Sequence, residues 1–187
     1  GFTYRTLESA SDTFSLNYYT DDTFTTTASE VKQSELNLQV EYTPKRKTLG
    51  YGVERREVDS PYSRFFINYS QGFKGLISSD FDYQKIQFYY KQPVVIGPLG
   101  RSNFTMELGK TFGQIPLGLM SVVPGNQTYF IIQNTFSNLN FYEFVADEYA
   151  TLQWEHNFNG KIFARIPGLR KLNLREIVGV RGVYGTI

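Results

Sequence analysis

Apolar and polar residues alternate with a period of two along much of the chain. The clearest example is residues 34–43, in which Leu36, Leu38, Val40 and Tyr42 share one face while glutamates and amides fill the other. This spacing is typical of a β-strand with one apolar and one polar face, and the spacing of an amphipathic helix is hard to find. The sequence therefore predicts an all-β protein built from antiparallel strands.

Similar segments recur and together predict about eight strands. The alternation returns at residues 64–70, 85–91, 103–109, 150–157 and from 172 onward, with weaker signals at 2–7 and around Phe14, Leu16 and Tyr18. Each repeat is roughly 10 residues long, near the ~9–11 residues of a tilted membrane-crossing strand and longer than the ~5–6 residues usual in soluble sheets. We therefore expect an antiparallel transmembrane β-barrel. The pattern leaves open one alternative, a soluble sheet with one face exposed to solvent.

In such a barrel the apolar face of each strand contacts lipid and the polar face lines the lumen. The residues expected to face lipid are Leu36, Leu38, Val40, Tyr42, Phe65, Ile67, Ile86, Phe88, Tyr90, Phe104, Met106, Leu108, Leu152 and Trp154. The residues expected to face the lumen are Glu35, Gln39, Glu41, Arg64, Lys85, Lys91, Glu107, Glu155, Arg175 and Arg181. Because the second set holds both signs of charge, ion pairs can cross-link it, and an open conducting pore is not implied.

The composition adds many aromatic rings to a modest apolar total. The 187 residues include 14 Tyr, 16 Phe and one Trp, while 41% are hydrophobic. No stretch approaches the ~20 apolar residues that a spanning helix needs, which excludes a helical membrane protein. The net charge of +1 indicates no broad attraction to nucleic acid. Without cysteine, disulfides and thiolate metal sites are excluded.

The first residues, Gly1-Phe2-Thr3, show neither an initiator Met nor the zones of a signal peptide. We expect residues 1–187 to form a single outer-membrane β-barrel domain that is a fragment of a longer chain.

The connections between the predicted strands suggest an orientation. The one from Gly113 to Glu148 is by far the longest, and bacterial barrels place long loops outside and short turns in the periplasm. Strict alternation then puts residues 93–102 and 159–171 on the periplasmic side. It also puts residues 44–61 there, although that connection is long and basic.

Few residues are candidates for catalysis or for binding a metal ion. His156 is the only histidine and has no partner at a ligand or catalytic spacing, so a structural or interfacial role is expected. Glu143, Asp147 and Glu148 are interleaved with aromatic residues, which favours a packed external loop over a calcium site. The basic residues around 45–47 and 55–56 favour a turn at headgroup level. We expect no enzyme activity, no cofactor and no metal.

A series of ordered motifs between residue 34 and the end of the chain resembles one known family. The motifs are Gly72-Phe73-Lys74-Gly75, Ser79-Asp80-Phe81-Asp82-Tyr83, Gly97-Pro98-Leu99-Gly100-Arg101, Pro124-Gly125-Asn126-Gln127-Thr128-Tyr129-Phe130, Phe141-Tyr142-Glu143-Phe144-Val145-Ala146-Asp147, Glu155-His156-Asn157-Phe158-Asn159-Gly160, Arg165-Ile166-Pro167, Leu169-Arg170-Lys171-Leu172 and Leu174-Arg175-Glu176. They resemble an uncharacterised family of Gram-negative outer-membrane barrels. That family carries a carboxypeptidase-regulatory-like domain ahead of a barrel related to the BamA/TamA surface-antigen superfamily.

This resemblance implies ancestry and architecture, and it carries over no catalytic residue. The superfamily's barrel has sixteen strands, so about eight strands would be roughly half of one. The stretch Val180-Arg181-Gly182-Val183-Tyr184 is similar to a Val-Arg-Gly-aromatic element that the superfamily inserts into its lumen. An extra Val separates the Gly from the aromatic residue here, and Arg181 is therefore predicted to be a lumen-facing strand residue.

The leading hypothesis is an integral protein of a Gram-negative outer membrane that works in transport, assembly or scaffolding of envelope proteins. Its expected partners are outer-membrane lipid and either further strands of the same chain or other envelope proteins in a complex, without nucleic acid. The alternative is a small barrel that binds an apolar ligand, either an eight-stranded membrane barrel or a lipocalin-like one. An enzyme embedded in a barrel would require a triad or paired carboxylates, which the sequence does not show.

Overall fold

The computed structural model describes residues 1–8, 17–20, 23, 25–58, 61–128, 132 and 134–187. Seven strands form its main sheet. They are β1 (Phe2–Glu8), β2 (Glu30–Tyr42), β3 (Arg64–Gly72), β4 (Tyr83–Val95), β5 (Arg101–Phe112), β6 (Glu148–Asn157) and β7 (Ile177–Thr186). All neighbouring strands pair antiparallel. The predicted all-β, antiparallel fold is confirmed.

The strands follow one another in the sheet in the order of the chain, which makes the sheet an up-and-down meander. At one end of the sheet, here called end A, lie the connections 43–63, 96–100 and 158–176. At the other, end B, lie the connections 9–29, 73–82 and 113–147. In the described part of the chain β1 and β7 are the two edges of the sheet, which is open.

Short elements fill the connections. Three two-residue strand pairs are Tyr18–Tyr19 with Thr27–Ala28, Thr48–Leu49 with Arg56–Glu57, and Ser121–Val122 with Val145–Ala146. Single 3-10 turns span Gly52–Glu54, Leu76–Ser78, Gly97–Leu99, Leu117–Leu119, Phe163–Arg165 and Leu169–Leu172. Among the described residues, no helix is long and apolar enough to cross a membrane.

From β1 to β5, neighbouring strands are displaced along one another in a consistent direction, whereas β6 and β7 pair along their full lengths. Leu36, in the middle of β2, pairs with Phe2 at the beginning of β1 and with Gln71 near the end of β3. The same transverse row continues through Gln84 to Phe112, the last residue of β5. A progressive stagger of this kind accompanies strands that tilt in a barrel wall.

The last strand begins later than the sequence predicts. We expected it to start at Leu172, but residues 169–172 form a 3-10 turn and β7 begins at Ile177. Pro167 and Gly168 (φ 96°) precede this turn, and Asn173 adopts a left-handed φ of 48°, which breaks the extended backbone. Arg175, expected to face the lumen from a strand, therefore lies in the connection before β7. The weak strand signal at Phe14 and Leu16 falls outside the described residues.

Candidate functional site: a polar groove and an inward-folded connection

The two faces of the sheet differ in chemistry across all seven strands. Residues paired directly across antiparallel strands share a face, so one face can be followed from Val40 through Ile67, Phe88 and Leu108 to Ala150. All fourteen residues expected to contact lipid lie on this face, here called the apolar face. Its side chains are exposed to a degree unusual for a protein surface, 61% for Leu38 and 63% for Tyr42. A large continuous exposed apolar surface marks a site of contact with membrane or protein.

Aromatic side chains cross the apolar face in a row towards end A. The ring centroids of Tyr42 and Phe65 are 6.1 Å apart, those of Phe65 and Tyr90 are 4.8 Å apart, and those of Tyr90 and Phe104 are 6.3 Å apart. The indole N–H of Trp154 donates a hydrogen bond to Ser102 Oγ at 2.7 Å. Such a belt, with apolar ring bodies and polar tips, suits the level at which lipid tails meet headgroups.

The opposite face, here called the polar face, carries most of the charged strand residues. Its central row runs from Gln39 through Asn68, Gln87 and Gly109 to Tyr149. The residues expected to line a lumen that lie on this face are Glu35, Gln39, Glu41, Arg64, Lys85, Lys91, Glu107, Glu155 and Arg181. The period-two pattern therefore predicted which residues share a face.

A chain of hydrogen bonds joins four strands across the polar face. Asn68 Nδ2 donates to Gln87 Oε1 at 3.0 Å, and Gln87 Nε2 donates to the hydroxyl of Tyr149 at 3.0 Å. The Tyr149 hydroxyl in turn donates to Glu107 Oε1 at 2.6 Å. Tyr149 is only 7% exposed, whereas its three partners in the network are partly exposed, so the tyrosine hydroxyl depends most on having its hydrogen-bond partners.

A second polar cluster lies nearer end B. Tyr83, 2% exposed, donates its hydroxyl hydrogen to Glu35, and Arg5 lies 3.6 Å from the same carboxylate. Ser70 donates to Asn37, and the ammonium of Lys85 donates to the carbonyl of Leu119. Three of these contacts connect main-sheet strands, and the fourth connects β4 to the long connection 113–147.

That long connection, residues 113–147, lies over the polar face for much of its described length and is here called the inward-folded connection. Leu119 packs with Val31 and Tyr83, while Val123, Phe136 and Ala146 pack with Tyr149. The sequence predicted a packed loop on the outer side of the membrane and did not say which surface it packs against. The structure turns its apolar residues towards the polar face, which near end B offers them tyrosine rings and Val31 to pack against.

The connection reaches well down the polar face. Arg181 on β7 donates a hydrogen bond to the carbonyl of Thr135 at 2.7 Å. Asn134 lines a small cavity of about 70 Å3 together with Lys91, Thr105 and Arg181. Thr105 is six residues along β5 from Thr111 near end B, or roughly 20 Å at ~3.3 Å per residue. Arg181 is thus a strand residue of the polar face, as predicted, and it anchors the inward-folded connection.

Towards end A the polar face forms an open groove of about 810 Å3. Its charged lining residues are Glu41, Arg64, Lys91, Arg101 and Glu107. At the rim, Glu57 accepts from both Arg46 and Arg64 at 2.7 Å. Because the lining carries both positive and negative side chains, the groove suits water or a polar ligand. It offers an apolar ligand no surface that is shielded from water.

The residues weighed for catalysis have structural contacts. His156 is 6% exposed, its Nε2 lies 3.0 Å from the carbonyl oxygen of Leu99, and its ring packs 4.3 Å from that of Phe158. Glu143 accepts from the backbone N–H of Asn140, and Glu148 pairs with Lys110 at 2.6 Å. In the part of the chain that the structure describes, no group of three or more histidine and acidic side chains is arranged to hold a metal ion.

Sequence reasoning missed several members of the polar networks. Tyr149 lies one residue before the segment predicted as a strand, and Tyr83 precedes another. Each pairs directly with a glycine, Tyr149 with Gly109 and Tyr83 with Gly72. The tyrosines and glycines are visible in the sequence, but their pairing depends on strand register.

These features define an all-β protein with an open, antiparallel, two-faced sheet whose polar groove is partly covered by one of its own connections. Within this class, residues 2–186 match the C-terminal domain of a family of unknown function, DUF5686, and the chain belongs to that family. No curated protein and no solved structure matches the chain.

Proposed function

We propose that this chain is part of an integral outer-membrane β-barrel of a Gram-negative bacterium that works in transport, assembly or scaffolding of envelope proteins. One observation carries the proposal. The apolar face is continuous across the sheet and exposed, whereas the polar face holds partly buried hydrogen bonds and an inward-folded connection. Lipid on one side and a polar lumen on the other account for both.

The edges of the sheet support a larger barrel. In hydrocarbon an unpaired backbone N–H or C=O group costs several kcal/mol, so strands β1 and β7 need partners in a membrane. Further strands of the same chain would supply them, as would another envelope protein. The resemblance to the BamA/TamA superfamily favours a sixteen-stranded barrel preceded by a carboxypeptidase-regulatory-like domain, and we extend the proposal to that architecture.

The inward-folded connection indicates which functions a barrel built from this sheet could perform. The connection's own residues Leu119, Val123 and Phe136 are buried against the polar face, which narrows the space on that side of the sheet for polar solutes. A partly filled lumen is compatible with a protein that handles or positions other envelope proteins. A diffusion pore, in contrast, needs an open lumen. The lipocalin-like alternative receives no support, since a pocket for an apolar ligand needs its apolar residues inside the groove.

The proposal also includes the absence of enzymatic activity. Turnover of any substrate by the full-length protein that a His156→Ala variant loses would contradict this part.

Fractionation of the full-length protein in a Gram-negative host tests the proposal. We expect it to sediment with outer membranes, to resist extraction by alkaline carbonate and urea, and to migrate differently in gels before and after heating. A protein recovered in the soluble periplasmic fraction after cell lysis would overturn it.

A further inference from the structure

The connections at the two ends of the sheet carry opposite charge. Among the described residues, the connections at end A contain ten basic and three acidic residues, whereas those at end B contain one basic and four acidic residues. Half of the basic residues at end A lie in the connection 158–176 between β6 and β7, namely Lys161, Arg165, Arg170, Lys171 and Arg175.

In the described part of the chain, no carboxylate forms an ion pair with these five cations. The only acidic residue in the connection is Glu176, which is 8% exposed and accepts a hydrogen bond from the backbone N–H of Phe163. Among the described residues, none of the five forms an ion pair, whereas Arg46 and Arg64 at the same end share Glu57. The connection thus presents unpaired positive charge.

The same connection exposes aliphatic side chains between its cations. Ile162, Ile166, Leu172 and Leu174 are 42–62% exposed. A surface that alternates basic and aliphatic side chains fits the boundary between lipid tails and anionic headgroups, where aliphatic groups enter the tails and cations meet phosphates.

The connection also begins at the aromatic edge of the apolar face. The ring of Phe158 packs against His156, and His156 stacks on Trp154 with ring centroids 6.3 Å apart. Trp154 lies on the apolar face, so residues 158–176 leave the sheet at the level where that face meets headgroups. The position of this connection beside the aromatic row and its positive charge therefore both favour anionic lipid headgroups as its ligand.

We propose that the connection 158–176 binds the headgroups of anionic phospholipids in the adjoining membrane leaflet and concentrates those lipids around end A. The proposal rests on the membrane orientation proposed above. Lys and Arg near an anionic surface attract it over about a Debye length, roughly 8–10 Å at physiological salt, so the enrichment is local.

Trp154 provides the measurement, since it is the only tryptophan of this chain and lies beside the connection. The full-length protein is reconstituted in phosphatidylcholine vesicles that contain a small fraction of lipid with brominated tails, either phosphatidylcholine or phosphatidylglycerol. Bromine quenches indole fluorescence at short range. Subtracting the signal of a Trp154→Phe variant isolates Trp154 from any tryptophan elsewhere in the full-length protein.

We expect brominated phosphatidylglycerol to quench Trp154 at least twofold more than the same fraction of brominated phosphatidylcholine, with the excess falling as salt rises. Arg170→Gln with Lys171→Gln should remove most of the excess. The matched control, Lys32→Gln with Lys74→Gln, removes two positive charges at end B and should leave it unchanged.

Equal quenching by the two lipids, unchanged in the Arg170→Gln, Lys171→Gln protein, would overturn the inference while leaving the membrane orientation intact. Absence of quenching by either lipid would contradict the orientation itself and the inference with it.

Discussion

Tyr149 occupies the space that a side chain at Gly109 would fill. The two residues are direct partners on β6 and β5, and a Cβ atom built on Gly109 would lie 2.2 Å from Cε1 of Tyr149. The tyrosine ring therefore lies over the glycine backbone, and its hydroxyl reaches Glu107 on the same strand as Gly109 and Gln87 on β4. Tyr83 has the same relationship with Gly72.

Replacing Gly109 with alanine tests this arrangement. The added methyl group must displace the buried ring, so the free energy of unfolding should fall by about 1–3 kcal/mol, the usual cost of overpacking. Gly182→Ala on β7, two strands away from β5, is the matched control, because a Cβ atom there would have no heavy atom within 4 Å. Urea unfolding in detergent measures both, and equal effects would contradict the close contact.

Removing the hydroxyl of Tyr149 should also destabilise the protein. Tyr149→Phe leaves Gln87 and Glu107 each without a partner that they have in the structure, and we expect a loss of about 1–3 kcal/mol. Tyr184→Phe, at a side chain that is 68% exposed, should cost much less. Combining Tyr149→Phe with Glu107→Gln should give less than the sum of the single effects, and strict additivity would argue against a coupled network.

The alternation of apolar and polar residues was sufficient to predict some features of the fold and not others. Faces could be predicted for residues such as Leu38 and Gln39 because strand geometry has a period of two and needs no knowledge of the partner strand. The pairing of Tyr149 with Gly109 could not, since it depends on register across a connection of 35 residues, 113–147. A shift of β6 by one residue would have put the ring of Tyr149 on the other face.

The long connection shows a similar limit. Its apolar residues, Leu119, Val123 and Phe136, have no period that says whether they pack outside or inside the sheet. Their place is set by tertiary contacts with Tyr83 and Tyr149. The late start of β7 has a local cause, the turn-forming Pro167, Gly168 and Asn173, which outweighed the short alternation at 172–175.

The two faces should respond differently to charge. Leu38→Arg or Phe88→Arg places a guanidinium in lipid and should cost about 2–4 kcal/mol if the site lies near the membrane midplane. Gln39→Arg and Gln87→Arg, one residue away on the polar face, should cost clearly less. Denaturant unfolding in lipid vesicles gives the comparison, and equal costs on the two faces would reject the orientation.

The inward-folded connection should limit conductance. In planar bilayers the full-length protein should show little current, and replacing residues 123–139 with a Gly/Ser sequence of equal length should produce discrete openings. The replacement removes the contacts of Val123 and Phe136 while keeping the chain length. Replacing residues 48–54 at end A in the same way is the control. An unchanged current after the first replacement would contradict occupation of the lumen by this connection.

The central claim is that lipid covers the apolar face and water the polar face, and spin labels along β2 test it most directly. Residues 36–41 are replaced one at a time by cysteine in a cysteine-free background of the full-length protein, labelled, and reconstituted in vesicles. We predict that labels at Leu36, Leu38 and Val40 relax faster with oxygen, which partitions into lipid, and that labels at Asn37, Gln39 and Glu41 relax faster with a water-soluble nickel chelate. Accessibility that does not alternate, or alternates with the opposite phase, would contradict the account.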